Sequence, residues 1–162
     1  MHANMQRFWY SLIMEKKTCI GSPEVLLPEM LAYLSRGEGF WLVVTGSSMS
    51  PTLLHESDSV YIEPLTGELI LGDITLVLAG ECHCILHRVI RVSKDVFIMQ
   101  GDALMNTEGP VPKHCIIGIA TLRRRRGKIR RLSRCRSFTI TFHRFLSKVK
   151  GRIRQIFRRM RV

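Results

Sequence analysis

Between residues 40 and 122, short apolar runs alternate with turn residues at spacings that suit strands. Phe40-Trp41-Leu42-Val43-Val44 is a continuous apolar run and reads as a buried strand. Val60-Tyr61-Ile62 lies between Asp58 and a break at Pro64. Asp73-Ile74-Thr75-Leu76-Val77-Leu78 closes at Ala79-Gly80. Ile85 to Val92 alternates imperfectly, and Val96-Phe97-Ile98-Met99 pairs with it across a Ser93-Lys94-Asp95 turn. Cys115 to Leu122 is the last strand. Short strands with little helix between them predict a mainly β domain, barrel-like or sandwich.

The flanks have a different period. Ser22-Pro23-Glu24 carries a cap and a first-position proline, and Leu26, Leu27, Met30, Leu31 and Leu34 follow at helical spacing. Pro28 is expected to kink this helix or move its start, and Gly37 and Gly39 to end it. At the other end, Phe142, Phe145, Leu146, Val149, Ile153, Ile156, Phe157 and Met160 fall on one helical face. Arg144, Lys148, Arg152, Arg158, Arg159 and Arg161 occupy the other. Between the last strand and this helix, Arg123 to Arg136 is a charge run and reads as a turn or solvated linker. The expected division is a lead-in and helix (1–39), a β domain (40–122), and a basic linker with an amphipathic helix (123–162).

Charge sharpens that division. The formal charge is +12, but residues 1–122 hold 8 Lys/Arg against 13 Asp/Glu, a balance of −5. Residues 123–162 hold 17 Lys/Arg and no acid. A mildly acidic domain therefore carries a strongly basic tail suited to an anionic partner. An amphipathic basic helix of this kind suits an anionic membrane surface. Nucleic acid is less favoured, because no recognition motif accompanies the arginines. Cys19, Cys82, Cys84, Cys115 and Cys135 are odd in number and irregular in spacing, which points to a reducing compartment rather than a disulfide framework. The run Phe8 to Met14 lacks the flanks of a secretory signal and reads as a core or docking segment. No stretch reaches the roughly 20 apolar residues that a spanning helix needs.

The candidate chemistry centres on Gly46-Ser47-Ser48-Met49-Ser50-Pro51-Thr52-Leu53. A strand that ends in glycine and small hydroxyl residues before a proline makes a tight, exposed turn. Such a turn can present a serine, which needs a base to become a nucleophile. His55, the cluster Cys82-His83-Cys84 with His87, and His114 are the imidazole candidates. Imidazole titrates near pH 6.5, so it can take a serine proton close to neutrality. A carboxylate would fix its tautomer, and Asp102 and Glu108 are the downstream candidates. Arg88 reads as a structural ion-pair partner, and Gly72 and Asp73 as turn residues. The Cys82/Cys84 spacing has no second pair to complete a zinc site.

Taken in order, these segments resemble the type I signal peptidases and the related SOS-repressor-type serine peptidases. Ser48-Met49-Ser50-Pro51 is similar to their Ser-Met-x-Pro nucleophile box, and Gly72-Asp73-Ile74 to a Gly-Asp-hydrophobic strand start. His87-Arg88-Val89-Ile90 resembles the box that bears the base. Gln100-Gly101-Asp102-Ala103 resembles the Lys-Gly-Asp box, and Ile117-Gly118 the closing strand. The five boxes lie within residues 46–120, a little under half of the chain. Histidine rather than lysine at the base position matches the archaeal and endoplasmic-reticulum branch. In that branch a downstream acid completes the site, and the matching position holds Glu108 instead of the usual Asp. Asp102 and Glu108 thus compete for the third role behind Ser48 and His87.

The resemblance implies a signal-peptidase-like fold and a serine endopeptidase that removes a leader or signal segment from a small exported protein or peptide. The backbone N–H of Ser48 would meet the oxyanion. No cofactor or metal is expected. The expected partners are a precursor peptide and an anionic membrane surface, at a cytoplasmic, peripheral membrane location. The alternative is an inactive peptidase-fold adapter that binds membrane or nucleic acid through its basic tail.

Overall fold

Nine strands and one helix make up the regular structure of a computed structural model that describes residues 18–19, 23–80 and 83–134. The strands are β1 (Thr18–Cys19), β2 (Phe40–Val43), β3 (Asp58–Glu63), β4 (Ile74–Ala79), β5 (His83–Ser93), β6 (Val96–Gln100), β7 (Glu108–Pro112), β8 (Ile116–Arg125) and β9 (Lys128–Arg131). The helix α1 is Pro23–Ser35. The mainly β expectation therefore holds. The Phe8–Met14 run, Cys82, Cys135 and the basic helical face from Phe142 to Met160 lie outside the described residues.

One sheet holds all nine strands in the order β1-β2-β3-β8-β4-β5-β6-β7, with β9 paired to β8. All pairings are antiparallel except β1 with β2. The last long strand, β8, is inserted between β3 and β4 and holds the two halves of the chain together. Register shifts interrupt β3/β8, β4/β8, β5/β6 and β6/β7. Such bulges increase twist and let a sheet coil around its own side chains.

The sheet buries both faces. On one side Phe40, Leu42, Val60, Ile62, Ile74 and Leu76 pack with Leu27 and Met30 of α1. On the other, Val77, Val89, Phe97, Met99 and Ile116 form a second core with Leu69. This explains why β4 reads as a continuous apolar run rather than an alternating one.

Two expectations change. Helix α1 starts at Pro23 and runs through Pro28, so Pro28 does not move its start. Burial of Leu27 and Met30, with Leu26, Tyr33 and Leu34 packed beside them, outweighs the one backbone hydrogen bond that Pro28 cannot donate. The helix ends with Gly37 N–H donating to Leu34 O (3.1 Å) and Glu38 N–H to Tyr33 O (3.0 Å), a Schellman arrangement.

The second correction concerns the run from Arg123, expected as a linker. Strand β8 continues to Arg125, turns at Arg126-Gly127 and returns as β9. The arginines are held in strand by partners. Arg125 pairs with Asp58, Arg123 donates to Thr52 O (2.8 Å), and Arg124 lies 4.6 Å from the centre of the Trp41 ring. Leu122 and Ile129 pack with Trp41 and Tyr61. A tertiary partner for each of three consecutive arginines holds this run in a strand rather than in solvent.

Candidate active site

The loop between β2 and β3 and the loop after β6 meet around His87 in the middle of β5. The first is the loop between β2 and β3, closed at its base by Val44 N–H to Asp58 O (2.9 Å) and Glu56 N–H to Val44 O (2.8 Å). Met49 and Leu53 are buried and anchor it to the core. Gly46 adopts φ +82°, a left-handed conformation that favours glycine, and donates its N–H to His55 Nδ1 at 3.1 Å. Ser50 N–H donates to Ser47 O (3.0 Å), and the Ser50–Pro51 peptide is cis. Ser48 is half-buried at the crest of this turn.

Further bonds fasten the turn to the sheet. Asp58, 1% exposed, accepts the Leu54 N–H (2.8 Å) and the Arg125 guanidinium. Burial alone would raise the Asp58 pKa. The Arg125 and Leu54 hydrogen bonds, with the charges of Arg125 and Arg123, outweigh burial and hold it below the usual carboxylate range. Thr52 Oγ1 donates to Asp102 Oδ2 at 2.6 Å.

The base candidate stands on β5. His87 pairs with Thr75 of β4 and is 3% exposed. Its Nδ1–H donates to Glu108 Oε2 at 2.7 Å, which leaves Nε2 as the acceptor nitrogen. Glu108 opens β7 and is partly open to solvent.

The loop after β6 brings serine and histidine together. Ala103 N–H donates to Ser48 O (2.8 Å). A Cβ on Gly101 would lie 2.6 Å from Ser48 O and 3.0 Å from His87 Nε2, so only glycine lets the three segments approach this closely. No hydrogen bond joins Ser48 Oγ to His87 Nε2 among the described residues. Such catalytic contacts often tighten only around substrate.

No family model, curated protein or solved structure matches this chain.

Asp102 sits elsewhere in the arrangement. It is 1% exposed and receives both Arg88 Nε (2.9 Å) and Arg88 Nη2 (2.8 Å). Arg88, equally buried, also donates to Gly72 O (2.8 Å) and Ser133 O (2.9 Å). Of the two competing acids, Glu108 bonds the imidazole. Asp102 ties the serine turn, through Thr52, to the residue next to the histidine.

The other imidazoles are placed differently. His55 braces Gly46, His114 is exposed in the 3-10 turn Lys113–Cys115, and His83 is exposed at the start of β5. Strand alternation sets Cys84 on the opposite face of β5 from His83 and His87. Among the described residues no group of three His, Cys, Asp or Glu side chains could hold a metal ion. No helix among them is long and apolar enough to cross a membrane.

A hydroxyl, an imidazole and a carboxylate in this order can make a nucleophile at neutral pH. Sequence reasoning did not find the supporting groups Thr52, Asp58, Arg123 and Arg125. Their contacts join residues 50 or more positions apart, except the local Asp58–Leu54 bond. Arg123 to Arg126 are four consecutive arginines, so no local alternation marks them as strand residues.

Proposed function

We propose that the protein is a serine endopeptidase of signal-peptidase-like fold that removes a leader or signal segment from a small exported protein or peptide. The observation that carries this reading is the 2.7 Å bond from His87 to Glu108, with His87 Nε2 and the Ser48 backbone both against Gly101. The five ordered sequence boxes support it independently.

Here His87 Nε2 takes the proton of Ser48 Oγ as the serine attacks the scissile carbonyl. Glu108 holds the ring in the tautomer that accepts at Nε2 and stabilises the imidazolium that forms. The Ser48 N–H meets the oxyanion. The imidazolium then protonates the leaving amine, and water, deprotonated by His87, hydrolyses the acyl-enzyme. Arg88, Asp102 and Thr52 position the turn and do no proton transfer. The basic residues beyond Arg134 bring the enzyme to an anionic membrane surface from the cytoplasmic side.

The test is cleavage of a library of internally quenched peptides. Wild type should cleave a subset, and Ser48→Ala should lose that cleavage by about 10⁶-fold. Undiminished turnover by Ser48→Ala would remove the reading.

A further inference from the structure

The β8–β9 hairpin does more than hold the serine turn. In its register Arg123 faces Arg130, and Arg125 faces Lys128. Directly opposed like charges destabilise a strand pair. One member of each pair is occupied: Arg123 binds Thr52 O, and Arg125 binds Asp58. Arg130 and Lys128 are exposed on that same face, with Arg126 beside them in the turn. The crowding is physical: burial lowers the pKa of Arg123, and the charges of Arg125 and Arg130 lower it further.

Asp58 offsets part of the charge at Arg123 and Arg125, but among the described residues Arg126, Lys128 and Arg130 form no ion pair. Residues 123–162 contain no acid. The nearby buried carboxylates are committed, Asp58 to Arg125, Asp73 to Arg134 and Asp102 to Arg88. Strand β9 pairs only with β8 among the described residues, so its outer edge also offers backbone groups. No large exposed apolar side chain lies on the hairpin among the described residues. A strip of cations on an open strand edge, without apolar side chains, fits a hydrophilic acidic strand better than an acyl interface.

We propose that Arg126, Lys128 and Arg130, with the outer edge of β9, form a docking strip for an acidic segment of an extended peptide. The strip lies on the face whose Arg123 grips Thr52, four residues after Ser48. On the peptidase reading, on which this step rests, the strip selects substrates that carry Asp or Glu outside the scissile bond. Each contact is an exposed ion pair, individually weak and salt-sensitive. Several together with strand pairing give selectivity.

The experiment measures binding, not turnover. A fluorescein-labelled Glu-rich peptide, its Gln-for-Glu counterpart, and phosphatidylglycerol vesicles are titrated against the full chain carrying Ser48→Ala. Lys128→Glu/Arg130→Glu and the milder Lys128→Gln/Arg130→Gln are made in the same background, each checked for folding by thermal unfolding. The Glu-rich peptide should bind more tightly than its neutral counterpart. The double reversal should weaken it about tenfold and the double neutralisation by less, both effects shrinking with salt. Equal binding of both peptides, or an acidic-peptide affinity unmoved by either double variant, would overturn the proposal. So would a loss confined to vesicle binding, which would assign the strip to lipid. Because Ser48 is already replaced, failure of the peptidase reading leaves this result intact, and the reverse also holds.

Discussion

Two adjacent residues of β5 each meet a carboxylate, and the two pairs differ in every respect that matters. Arg88 and Asp102 are both about 1% exposed and joined by two hydrogen bonds, with further bonds to Thr52, Gly72 and Ser133. His87 is equally buried, but its partner Glu108 reaches it from the rim, and Nε2 faces the Ser48 turn. The first pair is buried and its contacts are all internal, so it fixes geometry. The second leaves one imidazole nitrogen across Gly101 from the Ser48 backbone. A strand that alternates faces makes this division possible, because consecutive side chains can serve a lock and a site a few ångströms apart.

The largest effect should come from breaking the lock. Arg88→Met leaves Asp102 buried without its cation and should cost about 3–5 kcal/mol in urea unfolding. Adding Asp102→Leu should recover part of that loss. A midpoint like that of wild type for Arg88→Met would remove the distinction between the pairs.

Breaking the other pair should affect rate instead. Glu108→Gln should reduce kcat about 100-fold on a cleaved peptide, since the amide can favour the wrong tautomer. Because Glu108 is half-open to water, stability should change by under about 1 kcal/mol. A large stability loss with kcat unchanged would reverse the roles assigned to the two acids.

Much of this division was legible in the sequence, and the part that was not has a physical cause. The apolar runs revealed six of the nine strands, because burial on one or both sheet faces writes itself into local pattern. Strand β7 escaped because Gly109, Pro110 and Pro112 read as loop; paired among the described residues only with β6, it tolerates prolines that a central strand would not. Strand β9 escaped because seven Lys/Arg within 123–131 read as solvated charge, whereas Arg123, Arg124 and Arg125 each find a tertiary partner. Ser48, His87 and both acids were visible as motifs. Which acid meets the imidazole was not, since six residues of spacing cannot say that one carboxylate faces Arg88 and the other Nδ1.

The smallest effect concerns the fastening of the serine turn. Asp58 has a folded pKa below its ordinary value of 3.8, so the unfolded chain takes up its proton more readily. Its contribution to stability is present above that value and is lost as pH falls below it through the folded pKa. Unfolding midpoints between about pH 5 and pH 2 should show a steeper acid limb for wild type than for Asp58→Asn. Parallel limbs would mean that the Asp58–Arg125 pair does not hold the turn.

The most direct measurement needs no knowledge of the substrate. The full chain is treated with a fluorophosphonate, which phosphonylates only an activated serine, and the adduct is located by peptide mass spectrometry. One adduct is expected on Ser48, absent in His87→Ala and slowed in Glu108→Gln. No adduct on Ser48, or equal labelling of wild type and His87→Ala, would contradict it.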